Sequence, residues 1–161
     1  MLKLYNQSDR VTCAACAYAT LLSGLNINIS EKQACDECLT DKKGTFDTDV
    51  FHAILKRKIE ANFVYINQSF KEYGRWLYLN SRDRFIFVSC HFISNSGRGR
   101  NKNDYHAVVC SDGMIYDSAY KEIIPLEIYT FKYNKQFIIR SIILVDNPYP
   151  EKRNKGFDID E

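Results

Sequence analysis

An Asp-Gly pair, Asp112-Gly113, separates two apolar runs, Tyr105-His106-Ala107-Val108-Val109-Cys110-Ser111 and Met114-Ile115-Tyr116-Asp117. A type I′ turn needs positive φ at both central residues, and Asp-Gly accepts that at little cost, so the segment reads as a tight hairpin. The register follows from the turn. Ser111 faces Met114, Cys110 faces Ile115, Val108 faces Asp117 and His106 faces Ala119. Side chains alternate along a strand, so His106, Val108, Cys110 and Asp117 share one face of the sheet. Asp117 is then the diagonal neighbour of His106, at roughly 7–8 Å between backbones. A carboxylate there accepts from one ring nitrogen, fixes the tautomer and leaves the other nitrogen free to act as a base. Such a base needs a nucleophile from elsewhere in the chain.

The 161 residues suffice for one domain with one real core. A formal net charge of +2 offers no global attraction for nucleic acid or for a membrane surface, so neither is expected as a partner. No apolar run approaches the roughly 20 residues of a membrane span. The opening Met1-Leu2-Lys3-Leu4-Tyr5-Asn6-Gln7 lacks the apolar core of a signal peptide, which makes a cytoplasmic, reducing setting the default. In that setting six cysteines read as thiols, metal ligands or a nucleophile rather than a disulfide framework.

Small and apolar residues over 13–23 suit a buried helix, with Thr12 as N-cap and Gly24 as stop. Cys13 then sits at the positive end of that helix, where the dipole and free amides favour a thiolate. Ser30-Glu31-Lys32-Gln33 is a capping box opening a second helix, with Ala34, Cys35, Cys38 and Leu39 on one face. After a turn at Lys42-Lys43-Gly44-Thr45, a third helix buries Val50, Phe51, Ile54 and Leu55, and leaves His52 in solvent. A short strand is expected over 61–66. A helix over 68–79 turns Phe70, Tyr73, Trp76 and Leu77 inward, and a central strand occupies 84–90. The hairpin follows a polar, mobile loop at 93–104. Residues 124–132 fit helix and strand equally, and 136–145 is the last strand. The organisation expected is a single domain over 1–146 with a charged tail over 147–161. Helices first and strands later argue for α+β, with the N-terminal helices packed on an antiparallel sheet.

Two cysteines of the first helix compete as partner for His106. Acyl-transfer chemistry needs a donor aimed at the developing oxyanion, and a glutamine amide just upstream of the nucleophile can supply one. Gln7 lies six positions before Cys13 and nine before Cys16. The ordered set of Gln7, Cys13 opening a helix, Gly44-Thr45, His106 opening an apolar strand and Asp117 on the next strand resembles the papain-like cysteine peptidase superfamily. The stretch from Ile29-Ser30-Glu31 to Ile54-Leu55 is similar to the second and third helices of its bacteriocin-processing, double-glycine leader peptidase branch. The resemblance covers roughly residues 5–120.

It implies a papain-like cysteine protease fold and no cofactor, with a protein or peptide substrate. It further implies Gln7 as oxyanion donor, Cys13 as nucleophile, His106 as general base and acid, and Asp117 as orienting carboxylate. The chain departs from that branch at Thr12 and Ala14, where Asp and Gly usually flank the nucleophile, and the transporter-fused form, with its ATP-binding and membrane regions, is not expected. The segment Cys13-Ala14-Ala15-Cys16-Ala17-Tyr18 also resembles the papain segment in which the second cysteine attacks, which would favour Cys16. His91 is an alternative base, although no carboxylate is placed to orient it.

Peptide or isopeptide hydrolysis is the expected reaction. Protein-glutamine deamidation or acyl transfer on the same fold is the enzymatic alternative. The non-enzymatic one is a partner-binding inhibitor domain or a zinc domain. Cys13-x2-Cys16 and Cys35-x2-Cys38, eighteen residues apart, have four-cysteine zinc spacing. Both pairs, however, fall inside expected helices and lack the glycines of zinc knuckles. Arg98, Arg100 and Lys102 form a basic stretch just before His106, a solvated loop or a contact for an acidic or phosphate-bearing partner.

Overall fold

The computed structural model of the protein describes residues 2–9, 11–93, 105–134 and 136–149. These form five helices and six strands in the order α1 (Cys13–Gly24), α2 (Glu31–Glu37), α3 (Asp47–Lys56), β1 (Asn62–Ser69), α4 (Phe70–Asn80), β2 (Arg84–Phe92), β3 (Tyr105–Ser111), β4 (Met114–Asp117), β5 (Glu122–Pro125), α5 (Leu126–Tyr133) and β6 (Phe137–Asp146). The basic stretch at Arg98, Arg100 and Lys102, and residues 150–161 of the expected tail, lie outside the described residues.

All strands join one antiparallel sheet in the order β1-β6-β2-β3-β4-β5. β2 is an inner strand as expected, and side chains alternate between two cores across it. Phe85 and Phe87 join Val109, Tyr116, Ile143 and Val145 on the face covered by α1, α2 and α3. Ile86 and Val88 join Val108, Cys110, Ile115 and Ile142 on the face covered by α4 and α5. The early helices therefore pack on an antiparallel sheet, and two later helices close its other side.

The hairpin forms in the expected register at its turn, with Ser111 opposite Met114, Cys110 opposite Ile115 and Val109 opposite Tyr116. Asp112 and Gly113 take φ of 49° and 71°, the positive values a type I′ turn requires. The ladder stops there. Ala119 lies in a turn beyond β4 and does not pair with His106, while Asp117 pairs outward with Glu122 of β5.

α1 is buried along its length from Cys13 to Ser23, because the alanines at 14, 15, 17 and 19 let it lie between the sheet and α2 and α3. Thr12 holds the N-cap position but makes no side-chain cap bond. Its hydroxyl donates instead to the Asp9 carbonyl at 2.8 Å. Gly24 is the last helical residue, and the left-handed turn falls on Asn26, with φ of 60°. The Ser30–Gln33 capping box is complete. Two residues assigned to buried faces are exposed. Leu39 is 65% exposed because the chain leaves α2 there with φ of 54°, and Leu55 is 43% exposed at the rim of α3. The ambiguous stretch divides into β5 and α5, and the last strand inserts between β1 and β2. No helix among the described residues is long and apolar enough to cross a membrane.

Candidate active site

β3 opens at Tyr105 and His106 beside the point where α1 begins. Cys16 N donates to Thr12 O at 2.9 Å, the first bond of the helix, so by helix geometry the amides of Cys13, Ala14 and Ala15 have no intrahelical acceptor. The positive end of the helix dipole thus faces the Cys13 sulfur. The Cys13 thiol points toward the opening of β3 and donates to the Tyr105 carbonyl at 3.9 Å.

His106 is 4% exposed, and its Nε2 lies 2.7 Å from Asp117 Oδ2. An ionised carboxylate can only accept, so Nε2 carries the proton and Nδ1 is the nitrogen left for chemistry. Asp117 is fully buried and accepts from four donors. Besides His106 these are the Tyr129 hydroxyl at 2.8 Å and the backbone amides of Ala119 and Tyr120 at 3.0 and 3.1 Å. Burial opposes the charge on Asp117, but the bonds from His106, Tyr120 and Tyr129 hold its carboxyl below its ordinary range. Burial likewise opposes a charged His106. Asp117 and the adjacent Cys13 sulfur outweigh it, and His106 is pushed up to about 9. The imidazole stacks on Phe137 at 4.9 Å and 12° between planes, which holds the ring plane.

Cys13 and His106 line a pocket of about 130 Å³. The rest of its lining comes from Val11 and Ala14 around the start of α1, from Lys43, Gly44, Thr45 and Asp47, and from Phe87, Ser89, Tyr105 and Ala107 of the sheet. Asp47 is buried and held from three sides, by the Ser141 hydroxyl at 2.6 Å, the Thr48 amide at 2.9 Å and Arg140 Nε at 3.4 Å. Arg140 also reaches the Tyr105 hydroxyl at 2.8 Å, and so braces the strand end that carries His106.

Gln7 is tied to the same end of the sheet by its backbone N–H, which donates to Ser118 O at 3.4 Å, one residue past Asp117. Its Oε1 is buried without a hydrogen-bond partner among the described residues, and Gln7 is not among the residues lining the pocket. Ser8, next to Gln7, is held by Glu31 of α2, which accepts from Ser8 N at 3.0 Å and Ser8 Oγ at 2.9 Å.

The rival residues stand elsewhere. Cys16 is fully buried away from the pocket, and burial together with Glu31 pushes its thiol up to about 12. Burial also raises Cys35, Cys38, Cys90 and Cys110. His91 is buried on β2 outside the pocket lining. Among the described residues, no three His, Cys, Asp or Glu side chains gather as a metal site, so Cys13, Cys16, Cys35 and Cys38 do not form a four-thiolate cage. Tyr129 and Asp47 went unseen in the sequence. Tyr129 lay in the stretch of undecided periodicity, and Asp47 looks like any acidic residue in a first helical turn.

No protein-family model matches the chain, and no curated protein does. Solved structures do. The peptidase domain of Streptococcus ComA, a bi-functional ABC transporter involved in a quorum sensing pathway, superposes with a TM-score of 0.60 at 20% identity, covering 91% of this chain and 99% of that one. A double glycine motif protease from an AMS/PCAT transporter, in complex with the leader peptide, gives 0.62 at 18% identity over 91% and 92%. The peptidase domain of Streptococcus mutans ComA gives 0.52 at 18% over 89% and 98%. With helices on an antiparallel six-stranded sheet matched over nine-tenths of its length, the chain has the papain-like α+β fold of these peptidase domains.

Proposed function

We propose that the protein is a cysteine peptidase that cleaves a peptide or isopeptide bond through Cys13, His106 and Asp117. The observation that carries the reading is the 2.7 Å contact of a buried His106 with a buried Asp117, beside a helix-opening thiol in a pocket. His106 Nδ1 takes the proton of the Cys13 thiol, or the two rest as an ion pair. The thiolate attacks the carbonyl carbon, and the charge moves to the carbonyl oxygen. The Gln7 side-chain amide and the Cys13 backbone amide donate to that oxyanion. The intermediate collapses, the C–N bond breaks, and His106 returns its proton to the leaving amine. Water, deprotonated by His106, then hydrolyses the thioester.

Deamidation of a glutamine or amide transfer would use the same steps with ammonia leaving or an amine attacking. A peptide substrate is preferred because a structural neighbour is a double glycine motif protease in complex with its leader peptide. Peptides carrying a double-glycine motif are therefore the first substrates to try. Cys13→Ala is expected to abolish cleavage with the fold retained, checked by mass spectrometry of the products. Iodoacetamide is expected to label Cys13 selectively near neutral pH. Full activity in the variant, or slow and even labelling of all six cysteines, would refute the reading. Gln7→Ala is expected to lower the rate by about 10²–10³ with Cys13 labelling intact, since only the oxyanion loses a donor.

A further inference from the structure

We propose that Tyr129, on the far side of the sheet from the nucleophile's helix, is a positioning residue for His106, acting through Asp117. The proposal rests on the reading of Cys13 and His106 as a reactive pair and extends it by a fourth member. α5 turns Leu126, Tyr129 and Tyr133 toward the sheet, at the spacing of one helical face. Tyr129 is fully buried, with its ring edge-on to Phe70 at 5.4 Å between centroids. Its hydroxyl ends 2.8 Å from Asp117 Oδ2, the same oxygen that accepts from His106 at 2.7 Å. Burial and Asp117 keep that phenol protonated, so it stays a donor.

Two donors on one carboxylate oxygen divide its negative charge between them. The tyrosine therefore fixes where Oδ2 stands and also limits how strongly it pulls on the imidazole. The backbone amides of Ala119 and Tyr120 hold the other oxygen, so the carboxylate cannot rotate to exchange them. Among the described residues, the other titratable groups facing the pair are Cys13 from α1, Cys90 from β2, Tyr120 from the turn after β4 and Tyr133 from α5. Glu122 and Lys132 pair with each other and with Tyr133 beyond them. None of these donates to Oδ2.

Tyr129→Phe removes the hydroxyl and keeps the ring. Undivided, the charge on Oδ2 binds the His106 proton more tightly. The alkaline limb of Cys13 alkylation by iodoacetamide, followed against pH, is expected to move upward. With a cleaved peptide, kcat is expected to fall about tenfold with KM unchanged, the size of one hydrogen bond to a charged group. Incorporating 3-fluorotyrosine at position 129 keeps the side chain and makes the hydroxyl a stronger donor, so the limb is expected to move downward. This second variant decides the question if the phenylalanine variant does not fold. Alkylation needs no peptide turnover, so limbs moving in these opposite directions support the proposal even if no peptide is cleaved. Unmoved limbs, with only a lowered melting temperature, would overturn it and leave the role of Cys13 standing.

Discussion

Asp117 carries a buried charge that only its four donors make tolerable, and its charge in turn holds the proton on His106. Asp117→Asn keeps the volume and removes the charge. Burial would then be opposed at His106 only by the Cys13 sulfur, and its pKa is expected to drop from about 9 toward its ordinary 6.5. NMR titration of the ring checks this. If His106 acts as proposed, turnover falls by roughly 10²–10⁴, because the ring loses both its tautomer and its partner. Asp47 shows the contrasting case. It is also a buried carboxylate, but its partners Ser141 and Arg140 tie α3 to β6, and through Tyr105 to the pocket rim.

Helices here are set by how closely they approach the sheet. A Cβ added at Gly24 would meet Phe85 Cζ at 2.6 Å and Leu2 Cδ2 at 2.8 Å. Phe85 is only 5% exposed and has nowhere to go, so the end of α1 lies against β2 because residue 24 has no side chain. Gly24→Ala is expected to cost about 1–3 kcal/mol in urea unfolding. Gly74, inside α4, has only the Thr130 hydroxyl at 3.8 Å and an ordinary helical backbone. Gly74→Ala is expected to stabilise by about 0.5–1 kcal/mol in the same measurement. The opposite signs test whether close approach or helix propensity governs each position.

Three helices and the sheet are also joined by charge. The Tyr18 hydroxyl of α1 donates to Glu37 Oε2 at 2.5 Å, and Arg57, just past α3, grips Glu37 through Nε at 2.8 Å. Arg57 first among its neighbours holds the Glu37 carboxyl below its ordinary range. The stability gained from Glu37 and Asp117 is therefore present above the ordinary carboxylate value of about 4 and lost as pH falls through their lowered values. His106 runs the other way. Its folded pKa is raised, so its contribution is complete below 6.5 and is lost as pH rises toward about 9. The urea midpoint is expected to peak between about pH 5 and 6.5 and to decline from there. His106→Gln is expected to flatten the decline between about pH 6.5 and 8, before the buried thiols begin to ionise in the unfolded chain near 8.5.

Local chemistry alone dictated the Asp112-Gly113 turn, the Ser30–Gln33 capping box and the alanine-rich α1, since each depends on residues a few positions apart. It also brought His106 and Asp117 to one face, although the ladder closes sooner than strict pairing implied and the side chains cover the remaining distance. The periodicity of 136–145 shows a strand but not its neighbours, and β6 lies between β1 and β2 because both cores needed its alternating Ile and Val side chains. The choice of helix for 126–133 was likewise left to packing, and with it the delivery of Tyr129 to Asp117. Contacts between distant segments depend on which surfaces bury each other, and no spacing within one segment encodes that.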